Sequence, residues 1–323
     1  MKFSTVVPAQ LSLVVLAIVA LAIADGRAAA QTAPPQAKSV ALDRFSPGEA
    51  GSGWFALDTL ELRGRGRWDA SVVVEDAYHP LVLRSTGGGA DQAVVSNQLV
   101  TYLQGAVFLA DRLRLALSWP LVLFESGEPV VVGGAAYPQP EAGVGDPRIG
   151  ADVRLFGSEQ GPVVGAAGLQ ADLPIHLGDR RYGRENDLRL GPHFAVAGKI
   201  ADVGRLGTLV YAGRVGLLLH LPRDLASELS RGTDLELAGA LGLRLWRDRL
   251  LLGPELYGAT MLDGNGPFAK SSSPLEILLG CHYRNANGLG AGLGVAAGLV
   301  QATGTPPVRF LLALDFTPRT EIQ

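Results

Sequence analysis

Residues 308–316 have the sequence VRFLLALDF, in which apolar side chains recur at every second position. The side chains of a β-strand point to its two faces in turn, so this period divides the stretch into two faces. One face carries only phenylalanine and leucine, whereas the other carries Arg309 and Asp315 together with Leu311 and Ala313. The stretch therefore predicts a strand with one wholly apolar face and one face that holds both charges.

The same alternation recurs along the chain, for example in residues 148–155 (RIGADVRL) and 275–284 (LEILLGCHYR). Stretches of about ten alternating residues between turn residues are typical of transmembrane barrel strands. Pro192 and Pro254 fall inside candidate strands, where we expect a bulge or a position at the rim. We predict strands at residues 68–78, 96–109, 113–124, 147–156, 163–174, 188–199, 207–221, 233–246, 250–262, 273–284, 289–300 and 307–316.

The connections between these strands alternate in length. The short ones are residues 110–112, 157–162, 201–205, 247–249 and 285–288. The longer ones are residues 79–95, 125–146, 175–187, 222–232 and 263–272, with a modest one at 301–306. Short turns at one rim and longer loops at the other are typical of outer-membrane barrels, whereas a soluble β-sandwich has no reason to alternate. We therefore predict an all-β fold, a transmembrane antiparallel up-and-down β-barrel of about 12 strands with both ends in the periplasm.

The N-terminus has the features of an export signal. Lys2 precedes an apolar run at residues 11–24, and residues 27–30 (RAAA) form a small-residue cleavage site. The apolar run is short for a membrane-spanning helix, so cleavage after Ala30 is favoured over an uncleaved anchor. We expect a signal peptide at residues 1–30, a periplasmic N-terminal segment at 31–66, the barrel at 67–317 and a C-terminal tail at 318–323.

The less apolar strand faces carry charges of both signs. In a membrane barrel the apolar faces meet lipid, so these charges face a lumen where opposite signs pair. Inward glycines between residues 290 and 298 leave room there, either for an open channel or for long arginine side chains. We predict that the lumen is lined by Arg114, Arg148, Asp152, Arg154, Arg214, Glu255, Glu276, Arg284 and Arg309.

Two segments carry a resemblance to a known family. Residues 111–117 (DRLRLAL) and 143–156 (GVGDPRIGADVRLF) resemble the barrel of the outer-membrane family that includes the phenol-degradation meta-pathway protein. They also resemble the N-terminal barrels of OmpA-family proteins from delta-proteobacteria. The resemblance runs over about residues 43–316. It implies a barrel that takes up hydrophobic or other small molecules and whose terminal strand is recognised by the barrel-assembly machinery.

Neither catalysis nor a cofactor is indicated. The histidines have no serine close to them in a strand, so we predict that the protein is not an enzyme. We expect no metal and no cofactor, because there is no H-x-x-E pattern and the glycine-rich stretches lack the lysine of a phosphate loop. Cys281 is the single cysteine and has no disulfide partner. The net charge of −3 argues against binding of nucleic acid.

Together these patterns favour a monomeric, porin-like barrel in the bacterial outer membrane, in contact with outer-membrane lipid and lipopolysaccharide. The leading hypothesis is a channel for passive or facilitated uptake of small, including hydrophobic, solutes. The alternative is a non-conducting structural or interaction barrel that displays its surface loops, and a lumen closed by interlocked salt bridges would favour it. A soluble periplasmic β protein is a third interpretation.

Overall fold

The computed structural model describes residues 44–62, 64–83, 92–132, 135–137, 139–158, 161–175, 187–221, 232–262, 267–270, 272–300, 302 and 304–318. The predicted signal peptide at residues 1–30 lies outside the described residues, as does the predicted tail beyond Pro318. Within the described ranges, no helix is long and apolar enough to cross a membrane.

Twelve long strands form a closed antiparallel barrel, and three short strands lie near one end of it. The ring closes because the first long strand pairs with the last as well as with the second. The predicted transmembrane barrel is thereby confirmed. The strands are β1 (Trp68–Leu83), β2 (Gln92–Leu109), β3 (Leu113–Ser126), β4 (Val130–Val132), β5 (Ala135–Tyr137), β6 (Gly143–Val144), β7 (Arg148–Gly157), β8 (Val164–Asp172), β9 (Leu188–Asp202), β10 (Thr208–Leu221), β11 (Asp234–Leu245), β12 (Leu250–Met261), β13 (Leu275–Arg284), β14 (Leu289–Val300) and β15 (Val308–Phe316).

The outward face of the barrel is apolar. Leu293, Leu312 and Leu314 are 66%, 43% and 56% exposed on neighbouring strands, whereas soluble proteins seldom expose contiguous apolar patches of this kind. Trp68 packs on Phe316 with 5.5 Å between ring centroids, where β1 begins and β15 ends. Aromatic side chains at the ends of an apolar band are typical of the membrane interface. The outward face is therefore suited to lipid rather than to water.

The two rims of the barrel differ in their connections. We call the rim where β1 begins and β15 ends the turn rim, and the opposite one the loop rim. At the turn rim Ala110 and Asp111 have φ angles of 53° and 60° in the three-residue connection between β2 and β3, where the Arg112 N–H donates to the Leu109 carbonyl at 3.2 Å. The Asp111 carboxylate accepts the Gly64 N–H at 2.9 Å. This bond and the Arg65 guanidinium hold the pKa of Asp111 below its ordinary value.

Pro192 in β9 and Pro254 in β12 lie inside barrel strands, where proline removes a hydrogen-bond donor. Each proline pairs regularly on one side, with Leu169 and Leu279 respectively. On the other side the register is the same before and after each proline, but the pair at the proline itself and the pair beside it are missing from the ladder. The expected bulge or rim position is therefore wrong, because the barrel accommodates each proline by losing local pairing rather than by shifting register.

Three short strands at the loop rim have no counterpart among the predicted strands. The hairpin of β4 and β5 packs on the ends of β1 and β2, where Leu81, Val94, Val95 and Val130 form a small apolar cluster. Strand β6 pairs with β3 through Val144. Each of these strands has only two or three residues, so alternation is too short to reveal them.

The lipid-facing position of Leu312 predicts a depth-dependent cost for a charge. We expect Leu312→Arg to lower the free energy of unfolding by about 2–4 kcal/mol, the cost of arginine near the bilayer midplane. Leu206→Arg, at a residue that is 68% exposed in the turn between β9 and β10, should cost about 0–1 kcal/mol. Urea unfolding in liposomes measures both variants, and equal losses would contradict a lipid-facing Leu312.

Candidate functional site

Residues 44–62, here called the plug, lie inside the barrel. The plug binds side chains from strands on different sides of the closed ring, which a single segment reaches together only from the lumen. These side chains are Gln104 in β2, Arg148 in β7, Glu255 in β12 and Arg284 in β13, each bonded to a backbone atom of the plug. The lumen is therefore occupied by the chain's own N-terminal region.

The plug is held by apolar burial as well as by hydrogen bonds. Phe45, Trp54, Phe55 and Leu62 are each at most 4% exposed, and burying a large apolar side chain contributes about 1.5–3 kcal/mol. The prediction that residues 31–66 form a periplasmic segment is therefore wrong for residues 44–62. The physical reason for the difference is that the apolar side chains of this segment are buried against the inner wall of the barrel instead of being exposed to water.

The plug runs along the barrel axis. Arg44 lies 3.8 Å from Asp234, the residue at which β11 begins at the loop rim, whereas Gly64 is bonded to Asp111 at the turn rim. The first described residue is thus at the rim opposite the end of β15. Both ends of the predicted barrel region, near Trp68 and Phe316, lie at the turn rim, and only the segment that precedes the barrel reaches the loop rim.

Glu255 anchors the centre of the plug. Its carboxylate accepts the N–H groups of Phe55 and Ala56, both at 2.8 Å, and the residue is 1% exposed. These two bonds give partners to backbone donors that would otherwise be buried without any. Glu255 is therefore a plug-binding residue rather than one that lines an open lumen.

The inward glycines of β13 and β14 make room for Phe55. A Cβ atom at Gly294 would lie 2.9 Å from the Phe55 ring, and one at Gly280 would lie 3.0 Å from it. The His282 ring packs on the same phenyl ring with 4.2 Å between centroids. The room at Gly294 is therefore filled by an aromatic side chain of the plug, whereas at Gly290 and Gly292 it is filled by Asp315 and His282 of the neighbouring strands.

Arg114 joins the plug to the wall near the turn rim. Its guanidinium donates to Asp58 of the plug at 3.1 Å and to Asp152 of β7 at 2.9 Å. Asp152 also lies 2.8 Å from the His193 ring, and Asp58 accepts the Glu49 N–H at 2.9 Å. The opposite charges expected inside the barrel are therefore paired here, and one of the two carboxylates that Arg114 binds, that of Asp58, belongs to the plug.

Arg148 holds the loop-side half of the plug. It donates to the Ser46 hydroxyl and to the Pro47 carbonyl. Its guanidinium also lies 3.6 Å from the Glu49 carboxylate, which accepts a hydrogen bond from Gln170 at 2.8 Å. Glu49 is thus buried between two strands of the wall.

Arg309 joins three strands beneath the first aromatic residue of the plug. It donates to Glu75 in β1 and to Glu276 in β13, and its guanidinium lies 5.3 Å from the Phe45 ring centroid. The same Glu276 accepts the Tyr257 hydroxyl at 2.8 Å. These buried charges form one network that joins β1, β13 and β15 and lies beside the Phe45 ring.

The remaining predicted residues also lie on inward faces. Arg284 donates to the Gly51 carbonyl and to Asp315, Arg154 donates to the Asp111 carbonyl at the turn rim, and Arg214 donates to Gln170. That any of the nine residues takes part in transport stays a prediction. Sequence reasoning missed Glu49, Phe55 and Asp58, because no periodic pattern marks a plug; the only signal was the density of aromatic and leucine residues at 54–62.

A cavity lies between the plug and the loop rim, and we call it the vestibule. Its floor is formed by residues 45–47 of the plug. Charged residues of β7 to β11 line the vestibule, together with apolar, aromatic and polar residues of β2, β3, β12 and β13, Gln98 and Glu276 among them. Within the described part of the chain, no group of three histidine, cysteine or acidic residues is placed to hold a metal ion.

No protein-family model matches the chain, and no curated protein matches it. Among solved structures, the COG4313 outer membrane channel from Pseudomonas putida F1 matches with a TM-score of 0.53 and 14% identity, over 80% of this chain and 97% of that one. A KdgM porin (0.45, 10%, 78% and 99%) and a NanC porin (0.47, 9%, 78% and 100%) also match. The likeness to the COG4313 channel shows a shared barrel fold. The resemblance to the phenol-degradation family stays a prediction.

Removing Arg114 tests the junction between plug and wall. We expect Arg114→Ala to lower the free energy of unfolding by about 3–5 kcal/mol, because the carboxylates of Asp58 and Asp152 would be buried without their cation. Arg65→Ala is the matched control, since Arg65 is 84% exposed beside Asp111 and such pairs contribute about 0–1 kcal/mol. Denaturant unfolding in detergent micelles measures both, and similar small losses would contradict the buried network.

Proposed function

We propose that the protein is an outer-membrane channel for small solutes whose resting state is closed by its own plug. The observation that carries the proposal is that residues 44–62 run through the lumen from the loop rim to the turn rim and bind strands around the ring. A solute can then cross the lumen only when the plug moves away from its closed position. The predicted signal peptide and the apolar outward face support placement in the outer membrane.

The plug is attached to the wall without covalent bonds, so its displacement is a conformational equilibrium. The closed state is stabilised by charged hydrogen bonds at Arg114, Arg148 and Glu255 and by the burial of Phe55. Residues 45–47 of the plug line the vestibule, so a solute that enters the vestibule contacts the plug. A solute that interacts better with a displaced plug would shift the equilibrium towards an open lumen.

The same plug supports a second candidate, a structural or interaction barrel that does not conduct. Buried charge networks such as the one around Arg309 join strands of the wall and contact the plug. A barrel whose lumen is filled in this way can be stable without ever opening. The two candidates differ in whether loosening the plug produces conductance.

Shortening Phe55 tests the channel. Phe55→Ala removes a buried ring that fits between Gly280, Gly294 and His282, and such a truncation costs about 3–5 kcal/mol. Since this cost falls on the closed state, we expect the open probability in planar bilayers to rise at least about 100-fold. Phe268→Ala is the matched control, because Phe268 is 71% exposed at the loop rim, and its conductance should equal that of the wild type.

Heat-modifiable gel mobility confirms that each variant is folded, and the emission of Trp54, which is 4% exposed, reports whether the plug has moved. A displaced plug in a barrel that stays silent would contradict the channel and favour the structural barrel. Discrete conductance steps in Phe55→Ala but not in Phe268→Ala would support the channel.

The direction of the plug predicts which residues are reached from outside the cell. In a Cys281→Ser background, we expect Arg44→Cys to react with a membrane-impermeant maleimide on intact cells, because Arg44 lies at the loop rim. Arg65→Cys should react only after the outer membrane is permeabilised, since Arg65 lies at the turn rim beside Asp111. The reverse pattern of labelling would contradict the proposed orientation.

A further inference from the structure

We propose that one sector of the turn rim binds the headgroup of an anionic phospholipid in the periplasmic leaflet of the membrane. The sector, here called the basic sector, consists of residues 199–208, which contain the turn between β9 and β10, and residues 244–250, which contain the turn between β11 and β12. The inference concerns the outer surface of the rim, so it does not depend on whether the lumen conducts.

The two turns of the basic sector are neighbours. Thr208 pairs with Arg244 in the ladder between β10 and β11. A Cβ atom at Gly207 would meet the Arg244 carbonyl and would lie 3.1 Å from the Leu245 side chain. The two turns therefore form one continuous surface at the rim.

The basic sector carries a surplus of positive charge. It holds five cationic side chains and two carboxylates, a net charge of +3. These side chains are Lys199, Arg205, Arg244, Arg247 and Arg249 against Asp202 and Asp248. Because the whole chain has a net charge of −3, the surplus is local, and it is suited to an anionic partner.

Three of the arginines are available to a ligand. Arg205, Arg247 and Arg249 are exposed, and none of them has an ion pair or a side-chain hydrogen bond within the described part of the chain. In the same part of the chain, Asp248 pairs with neither of the arginines beside it. A planar guanidinium with unused donors binds phosphate through two parallel hydrogen bonds. These arginines can therefore hold a phosphate group at the rim.

Other turns at this rim differ from the basic sector. In the turn between β2 and β3, the Asp111 carboxylate lies 3.3 Å from the Arg65 guanidinium. The turn between β13 and β14 carries no charged residue, and there the Asn285 side chain accepts the N–H groups of Asn287 and Leu289. The rim is therefore unevenly charged, and its basic side lies between β9 and β12.

Large apolar side chains lie beside the arginines. Ile200, Leu206 and Trp246 are 53%, 68% and 69% exposed. They lie where the apolar outward face ends, and tryptophan is typical of the boundary between hydrocarbon and headgroups. A soluble anion would leave these side chains in water, whereas a phospholipid covers them with its acyl chains and offers its phosphate to the arginines.

The backbone of the turn between β11 and β12 is unusual for its residues. Trp246, Arg247 and Asp248 have φ angles of 52°, 59° and 65°, a region in which bulky residues are uncommon. In the turn between β13 and β14, Gly288 has the positive φ angle, 87°, and glycine adopts it without strain. Strained backbone is often found where side chains have a role, which agrees with a function for Trp246 and Arg247 at the membrane surface.

The arginines also select among headgroups. Phosphatidylcholine and phosphatidylethanolamine carry an ammonium group beside their phosphate, and binding would bring that cation towards guanidinium groups that repel it. Phosphatidylglycerol has a phosphate and no cation. The basic sector therefore favours phosphatidylglycerol over a zwitterionic lipid.

Quenching of tryptophan by brominated lipids tests this preference. The refolded full chain is placed in phosphatidylcholine liposomes with rising fractions of brominated phosphatidylglycerol or brominated phosphatidylcholine. The emission that disappears in Trp246→Phe belongs to Trp246, and Trp68, which is 48% exposed at the same rim, remains as an internal control. For Trp246 we expect the association constant of phosphatidylglycerol to be at least about tenfold higher, and for the remaining emission we expect no preference. Equal quenching of Trp246 by both lipids would overturn the inference.

Two pairs of substitutions with the same change in net charge locate the site. Arg247→Gln combined with Arg249→Gln should reduce the preference to within about twofold, because it removes two of the phosphate donors. Arg65→Gln combined with Arg112→Gln, at two exposed arginines on either side of Asp111, should leave the preference unchanged. Heat-modifiable mobility shows that both variants are folded. Equal effects of the two pairs would show that only net charge matters and would overturn the assignment to the basic sector.

A soluble phosphate ester separates the lipid from its headgroup. Glycerol 3-phosphate in excess should leave the quenching of Trp246 by brominated phosphatidylglycerol unchanged, because it has no acyl chains to cover Leu206 and Trp246. Displacement of the lipid by glycerol 3-phosphate would show that the phosphate alone is recognised, and a phospholipid would then be overturned as the occupant.

Discussion

The structure depends on one constraint: charges that the barrel turns inward must find partners away from bulk water. The wall alone meets this need only in part, for example where Arg309 joins Glu75 and Glu276. Elsewhere the plug supplies the missing groups, as a carboxylate for Arg114 and as backbone N–H groups for Glu255. Because a buried charge without a partner costs several kcal/mol, wall and plug stabilise each other, and neither is complete alone.

Hydrogen bonds from charged wall residues hold the plug along the whole axis. Towards the turn rim, Arg114 makes hydrogen-bonded pairs at 2.9 Å and 3.1 Å with carboxylates on both sides. Towards the loop rim, Arg148 donates to the Pro47 carbonyl at 2.8 Å, and Arg309, bonded to Glu276, lies 5.3 Å from the Phe45 ring centroid. The plug is therefore fixed at both ends as well as at its centre.

Much of the barrel follows from local sequence. The predicted strand at residues 289–300 coincides with β14 (Leu289–Val300), and the one at 307–316 differs from β15 by a single residue, because alternation is a property of neighbouring residues. The plug could not be predicted in this way. It has no period, and its central bond joins Phe55 to Glu255, which are 200 positions apart. Period two places Glu255 inward, but its partner is set by tertiary structure.

The central claim is that residues 44–62 are part of the folded lumen, and backbone hydrogen exchange tests it most directly. The measurement is the exchange rate of the Phe55 and Ala56 amides in the refolded protein, compared with barrel-strand amides such as those of β14. The account predicts that both exchange as slowly as the strand amides, since both donate to a Glu255 carboxylate that is 1% exposed. Exchange at the rate of an unstructured peptide would contradict a lumen closed by the plug.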